Sequence, residues 1–199
     1  MKKKFIFCLL LLFSGVTSAE QAVQTATFAG GCFWRTQVFF SEIECVTEVR
    51  AGYTGGQLSN PSHQQVFSGE TGHAEAVELT FESDKISYAD LVEIHLLTHD
   101  PTVVEQAGYK PGPQTRTAIF YHTLEQRAIA KSVLSRLSRD VYKKPLLTEL
   151  AAASDFYPAD NYHQNFYERN PKQSYCVRII KPSLEKFRSQ FGSKLKTKE

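Results

Sequence analysis

Hydrophobic and polar residues alternate most cleanly over Ala74–Phe81, where Val77, Leu79 and Phe81 share one parity and Glu78, Thr80 and Glu82 the other. A period of two predicts a strand with one buried and one wet face. Glu75 falls on the apolar parity and is expected to point inward, an uncommon place for a carboxylate. Thr25–Phe28 reads as a strand running into Gly30-Gly31, followed by a helix from Cys32 to Ser41. Cys45–Arg50 is a further strand, closed by a Gly52-Tyr53-Thr54-Gly55-Gly56 turn. From Tyr88 to Thr98 the spacing becomes helical, with Ser87 as N-cap and a stop ahead of Asp100-Pro101. Thr117–Tyr121 returns to strand. Thr123 with Gln126 then forms a capping box for a helix that places Ile129, Ala130, Val133, Leu134 and Leu137 on one face. Tyr157–Tyr167 reads as loop and irregular helix, and Ser183 caps a last amphipathic helix through Leu184, Phe187 and Phe191.

Strands and helices alternate without internal repeat, low-complexity stretch or linker. The expected fold is therefore α+β, an α/β sandwich: a single domain over 20–199 with a central mixed sheet flanked by helices and a short basic C-terminal tail. The composition agrees, since 199 residues at 42% hydrophobic and 22% charged can bury one sizeable core and do not read as disordered.

The first residues read differently. Lys2, Lys3 and Lys4, an apolar run Phe5–Phe13 and small residues ending Thr17-Ser18-Ala19 have the three-part form of a secretory signal peptide, 1–19. The run is far short of the roughly 20 residues of a membrane helix. Cleavage after Ala19 leaves 20 basic against 21 acidic residues, a balance that argues against nucleic acid or an anionic surface as the main partner. An exported chain without stable membrane association is expected, periplasmic or secreted.

Three cysteines follow the leader, Cys32, Cys45 and Cys176, and an odd count in an exported protein leaves at least one thiol to explain. Cys45, beside Val46 on a strand, reads as core. Cys32 follows two glycines at a strand-to-helix turn, so it is expected at a helix N-terminus. There the dipole and free N–H groups lower a thiol pKa, and Arg35 one turn on adds to that field. Composition alone equally accommodates a structural thiol in an aromatic core.

Gly31-Cys32-Phe33-Trp34 is similar to the active-site signature of the A-class peptide methionine sulfoxide reductases. Gly52–Gly56, Asn60-Pro61, Gly69-Glu70-Thr71-Gly72-His73-Ala74-Glu75, His99-Asp100-Pro101-Thr102, Gln114 with Arg116, and Tyr162-His163-Gln164 follow in that family's order. The resemblance runs from about Thr27 to Cys176 and implies a ferredoxin-like core. It also implies attack by Cys32 on the sulfur of an S-epimer methionine sulfoxide, releasing methionine and leaving a sulfenic acid on Cys32. Glu75 resembles the family's proton donor to the oxygen, a role that burial favours by keeping a carboxyl protonated. Phe33 and Trp34 resemble its methyl-binding aromatic pair. Cys176, in Asn170–Cys176, resembles a resolving thiol that would close a Cys32–Cys176 disulfide.

The chain departs from the family at Arg35, where Gly is usual, at His63, where most members carry a Tyr that helps hold the sulfoxide oxygen, and at Lys110 and Thr115, which align with Asp and Tyr. An imidazole at His63 still donates a hydrogen bond, with a different pH dependence. The resemblance implies no cofactor. It implies oxidised Met-containing proteins or peptides as substrates, a thioredoxin-like dithiol as reductant, and a monomer. Free methionine sulfoxide or another small sulfoxide as substrate, and a non-catalytic binder of oxidised segments, are the alternatives. His95 and His99 stand four apart, but a zinc site's usual Glu partners are not at the expected spacing, and no metal is expected.

Overall fold

The computed structural model describes residues 23–103 and 112–197. The leader 1–19 and Lys110 therefore lie outside the described residues. Six strands form one sheet: β1 (Val23–Gly30), β2 (Val46–Thr54), β3 (Ala74–Glu82), β4 (Thr117–Tyr121), β5 (Glu149–Ala152) and β6 (Tyr157–Pro158), in the order β5-β4-β1-β3-β2-β6. The inner four, β4-β1-β3-β2, are antiparallel; β5 adds parallel to β4 and β6 antiparallel to β2. With α1 (Phe33–Ser41) between β1 and β2, and α3 (Tyr88–Leu97) between β3 and β4, this is the βαββαβ arrangement of a ferredoxin-like core. The short α2 (His63–Ser68) sits in the β2–β3 connection. Outside the core lie α4 (Leu124–Leu137), α5 (Phe166–Arg169) and α6 (Lys181–Phe191).

The main core joins Phe28, Leu79 and Phe81 of the sheet to Phe39, Phe40, Leu91, Ile94 and Leu96 of the covering helices, all buried. A smaller cluster, Ala29, Ala74, Ala76, Ala118 and Phe120, is covered partly by Phe156.

The strand and helix centred on Ala74–Glu82 and Tyr88–Leu97 agree with the sequence pattern. Ser87 caps α3 in a full capping box with Asp90. Other expectations need correction. β2 continues through Gly52 to Thr54 instead of turning there. A Cβ at Gly52 would lie 2.5 Å from Phe156 Cζ and from the Tyr157 carbonyl, so this glycine marks close approach of β6. Thr123 does cap Gln126 N–H, but the Gln126 side chain accepts from His122 N–H and donates to the Thr25 carbonyl at 2.8 Å, tying α4 to β1. Ser183 is not a cap: α6 starts at Lys181 behind a π-turn over Cys176–Ile180, and the Ser183 hydroxyl donates back to Ile179 O. Pro182, tolerated in a first turn, was the better start signal. Cys45 precedes β2 and is half-buried against the core instead of inside it.

Candidate functional site

The nucleophile candidate sits where β1 hands over to α1. Gly31 adopts φ +76°, a left-handed conformation that favours glycine, and so turns the chain for Cys32 to be the N-cap of α1. Gly30 is pressed against α3, where a Cβ would come within 2.9 Å of His95 Cε1. The helix start leaves N–H groups unclaimed by its own backbone. Phe33 N–H donates to Glu75 Oε2 at 3.1 Å, and the Trp34 N–H favours the Cys32 thiolate. Glu75 is 7% exposed on β3, facing inward as its parity predicts, so the helix start brings thiol and carboxyl together.

The expected low thiol pKa is not what the site produces. Cys32 is 4% exposed, and burial, followed by the charge of Glu75, pushes its thiol from 9.0 up to about 12. The Trp34 N–H, the Tyr175 hydroxyl and Arg35 all act in the expected direction but are outweighed. Arg35 is itself buried and donates from Nη2 to the Gly30 carbonyl at 3.1 Å.

An aromatic wall surrounds the sulfur. The Phe33 ring centroid lies 6.4 Å from Trp34, 5.7 Å from Tyr53, 6.4 Å from His63 and 5.5 Å from His163. Trp34 lies flat against Phe166 at 3.7 Å, with Tyr175 at its edge, so one face of the indole is covered. His63 opens α2, a helix fixed by a Ser62/Gln65 capping box, and its imidazole stacks on His163 at 4.3 Å. Burial lowers both imidazoles, His163 to about 4 with help from His63, while Asp160 opposes the shift at each.

Two glutamines explain how a residue so distant in sequence reaches this wall. Gln164 accepts from Ala51 N–H at 3.0 Å and donates to the Ala51 and Ala159 carbonyls. Gln37 donates to Gln164 Oε1 and to Val49 O, and accepts from Asn165 N–H. Together they lock Tyr162–Asn165 against α1 and β2, which seats His163 over Phe33. Arg116 similarly gathers loops, donating to the carbonyls of Gly72, Pro113 and Gly55 and pairing with Glu149. Thr115 is buried beside it.

Cys176 is fully buried at the head of the π-turn, and its neighbour Tyr175 reaches the Cys32 sulfur with its hydroxyl. Cys32, Cys45 and Cys176 are all free thiols here. His99 bonds His95 O through Nδ1 and Thr117 Oγ1 through Nε2, both at 2.8 Å. Among the described residues no group of three or more His, Cys, Asp or Glu is placed to hold a metal, and no helix is long and apolar enough to cross a membrane. Sequence reasoning missed Tyr53, which the glycine-rich stretch assigned to a turn. It is the register partner of Glu75 on β2.

A buried cysteine at a helix start, a carboxyl against it and an aromatic enclosure with polar edges define a thiol-dependent enzyme acting on a small group with an apolar part. The sequence matches the family model for peptide methionine sulfoxide reductase over residues 24–195. It is 42% identical over 181 residues to the peptide methionine sulfoxide reductase MsrA of Deinococcus radiodurans, covering 90% of this chain and 88% of the relative. Identity to MsrA 1 of Rhodopirellula baltica is also 42%, covering 87% of this chain and 90% of that one. The fold resembles methionine sulfoxide reductase A of Corynebacterium diphtheriae (TM-score 0.71, 25% identity, 78% of each chain). It also resembles reduced Mxr1 of Saccharomyces cerevisiae (TM-score 0.70, 25% identity, 77% of this chain and 89% of that one). The chain belongs to the peptide methionine sulfoxide reductase family, and its reaction is the reduction of methionine sulfoxide in proteins and peptides.

Proposed function

We propose that Cys32 is the nucleophile, Glu75 the proton relay, and Phe33, Trp34 and His63 the walls of a pocket selecting the S epimer of peptide methionine sulfoxide. The observation that carries this reading is the Phe33 N–H to Glu75 contact, which holds a carboxyl beside a buried thiol inside the aromatic wall. With the thiol raised to about 12, the resting proton sits on sulfur. A sulfoxide oxygen entering the site is the acceptor that lets it leave: the proton passes through Glu75 to that oxygen as the Cys32 sulfur bonds to the substrate sulfur. The protonated oxygen leaves the substrate sulfur as water; a water then adds to the Cys32 sulfur and breaks its bond to the substrate sulfur, so that methionine departs as the thioether, a proton is returned and Cys32 is a sulfenic acid. The Cys176 thiol then condenses with it to a Cys32–Cys176 disulfide and water.

A thioredoxin-like dithiol reduces that disulfide, taking the oxidising equivalents as its own disulfide. The solved complex of yeast Mxr1 with Trx2, which shares this fold, concerns that kind of partner for that protein. The protein acts as a monomer. The pattern of residues 1–19 supports export, so the clients are oxidised proteins of the periplasm or the exterior. The test is a peptide carrying resolved S or R sulfoxide, mixed with mature protein and dithiothreitol and followed by mass. Loss of one oxygen from the S epimer alone is expected; loss from neither, or from R alone, overturns the assignment.

A further inference from the structure

Burying a polar atom without a partner is costly, so such atoms call for an explanation. Three meet at this site: Tyr53 Oη, Trp34 Nε1 and His163 Nδ1 have no hydrogen-bond partner among the described residues. The Tyr53 hydroxyl is the most informative, because a phenol rotates to satisfy itself wherever a neighbour permits. Tyr53 is 2% exposed. It stands beside Glu75 in the β2–β3 register, and its ring lies 5.7 Å from Phe33 and 6.5 Å from His63. The charges of Glu75 and Asp160 both bear on the hydroxyl, and Asp160 bears also on His63 and His163. Tyr53 thus shares one wall with the carboxyl proposed to handle the substrate's proton and with the His63 imidazole.

Resting on the sulfoxide-reductase reading, we propose that Tyr53 is a further catalytic residue, its hydroxyl donating a hydrogen bond to the sulfoxide oxygen while Glu75 passes that oxygen its proton. No bond to Tyr53 forms or breaks; its proton stays on the phenol. Burial, Glu75 and Asp160 all push that phenol above its ordinary value, so it stays a donor throughout the working pH range. A preplaced donor needs no reorganisation when charge gathers on the oxygen during sulfur–sulfur bonding, the condition under which such a contact speeds a reaction most. The hydroxyl, which no described residue partners, then takes its partner from the substrate.

Tyr53→Phe removes the hydroxyl and keeps the ring. For the S-sulfoxide peptide, kcat/KM should fall by about 100- to 1,000-fold, the range for loss of one such donor. The same peptide carrying unoxidised methionine has no oxygen for the hydroxyl, so its inhibition constant should stay within about twofold. Alkylation of Cys32 by iodoacetamide should stay within about threefold, because Tyr53 is not among the groups that set the thiol's ionisation. Since the hydroxyl has no partner among the described residues, the variant should melt no lower than wild type. A variant with wild-type kcat/KM overturns the proposal, as does one that melts lower or weakens both peptides in parallel. Wild type inactive on either epimer overturns the underlying reading instead, and shows as such before any variant is made.

Discussion

Replacing Glu75 by glutamine should move two properties of Cys32 in opposite directions. The thiol is raised by three pKa units above its ordinary 9.0, to about 12, with burial first and the Glu75 charge second among the causes. At 1.36 kcal/mol per unit, about 4 kcal/mol disfavours the thiolate, or about a thousandfold less of it at a given pH. Glutamine has nearly the same shape and still offers an oxygen to Phe33 N–H, so the turn is retained while the charge goes. A negative neighbour opposes a second negative charge. Its removal should lower the thiol pKa by about one unit and speed iodoacetamide labelling of Cys32 about tenfold. The amide cannot relay a proton to a sulfoxide oxygen, so turnover should fall by roughly 100- to 10,000-fold.

The assay is pseudo-first-order labelling between pH 7.5 and 9, read on the Cys32 peptide by mass so that half-buried Cys45 does not confuse it. It runs alongside kcat/KM on the S-sulfoxide peptide. Access to the buried sulfur cancels in the ratio of variant to wild type. Labelling and turnover falling together would show Glu75 to be a support for the α1 start, and unchanged labelling would refute the electrostatic argument.

Cys176→Ser should retain one stoichiometric round of sulfoxide reduction and leave a Cys32 sulfenic acid that dimedone captures, while turnover driven by a thioredoxin disappears; sustained thioredoxin-driven turnover would remove Cys176 from the cycle. Acid should destabilise the fold through His99, whose burial lowers it from 6.5 to about 4. Its Nδ1–H donates to His95 O, and its neutral Nε2 accepts from Thr117. The unfolded chain takes up the proton first, so this contribution is present above pH 6.5 and is lost as pH falls towards 4. About 2 kcal/mol is gone by pH 5. Unfolding free energies from urea titrations at pH 7.5 and 5 should therefore differ less in His99→Gln than in wild type by that amount, and an equal difference would count against it.

Local rules carried the fold wherever a segment's own pattern decided its state. The alternation at Ala74–Glu82 fixed both the strand and the inward face of Glu75, and Ser87 with Asp90 marked the start of α3. Gly52 misled because its signal is the same in a turn as in a strand that another strand crowds, and only the position of Phe156 distinguishes them. The capping box at Ser62 and Gln65 was legible, but six residues give no helical period, so α2 and the setting of His63 went unseen. β5 is four residues that pair in parallel with β4, a pairing that no local pattern announces. Tyr53 and His163 reach the site through register and through the Gln37–Gln164 lock, contacts between segments far apart in the chain.

The thiol itself shows where local reading ends and why that matters for the chemistry. A cysteine after two glycines at a helix start has every nearby feature of an activated thiolate, and each of those features does act on Cys32. Depth of burial and a carboxylate from β3 outweigh them, and neither is visible in residues 30–36. A standing thiolate would be consumed by any passing oxidant or disulfide, since those reactions go through the ionised sulfur. In the proposed mechanism the thiol ionises as a sulfoxide oxygen arrives to take its proton, through a carboxyl already in contact with the helix start, and that would confine its reactivity to the substrate. The carboxyl that adds to burial in holding Cys32 protonated at rest is, in the proposed mechanism, also the group that carries the proton away in the complex, and for that reason a single substitution at Glu75 should separate the two.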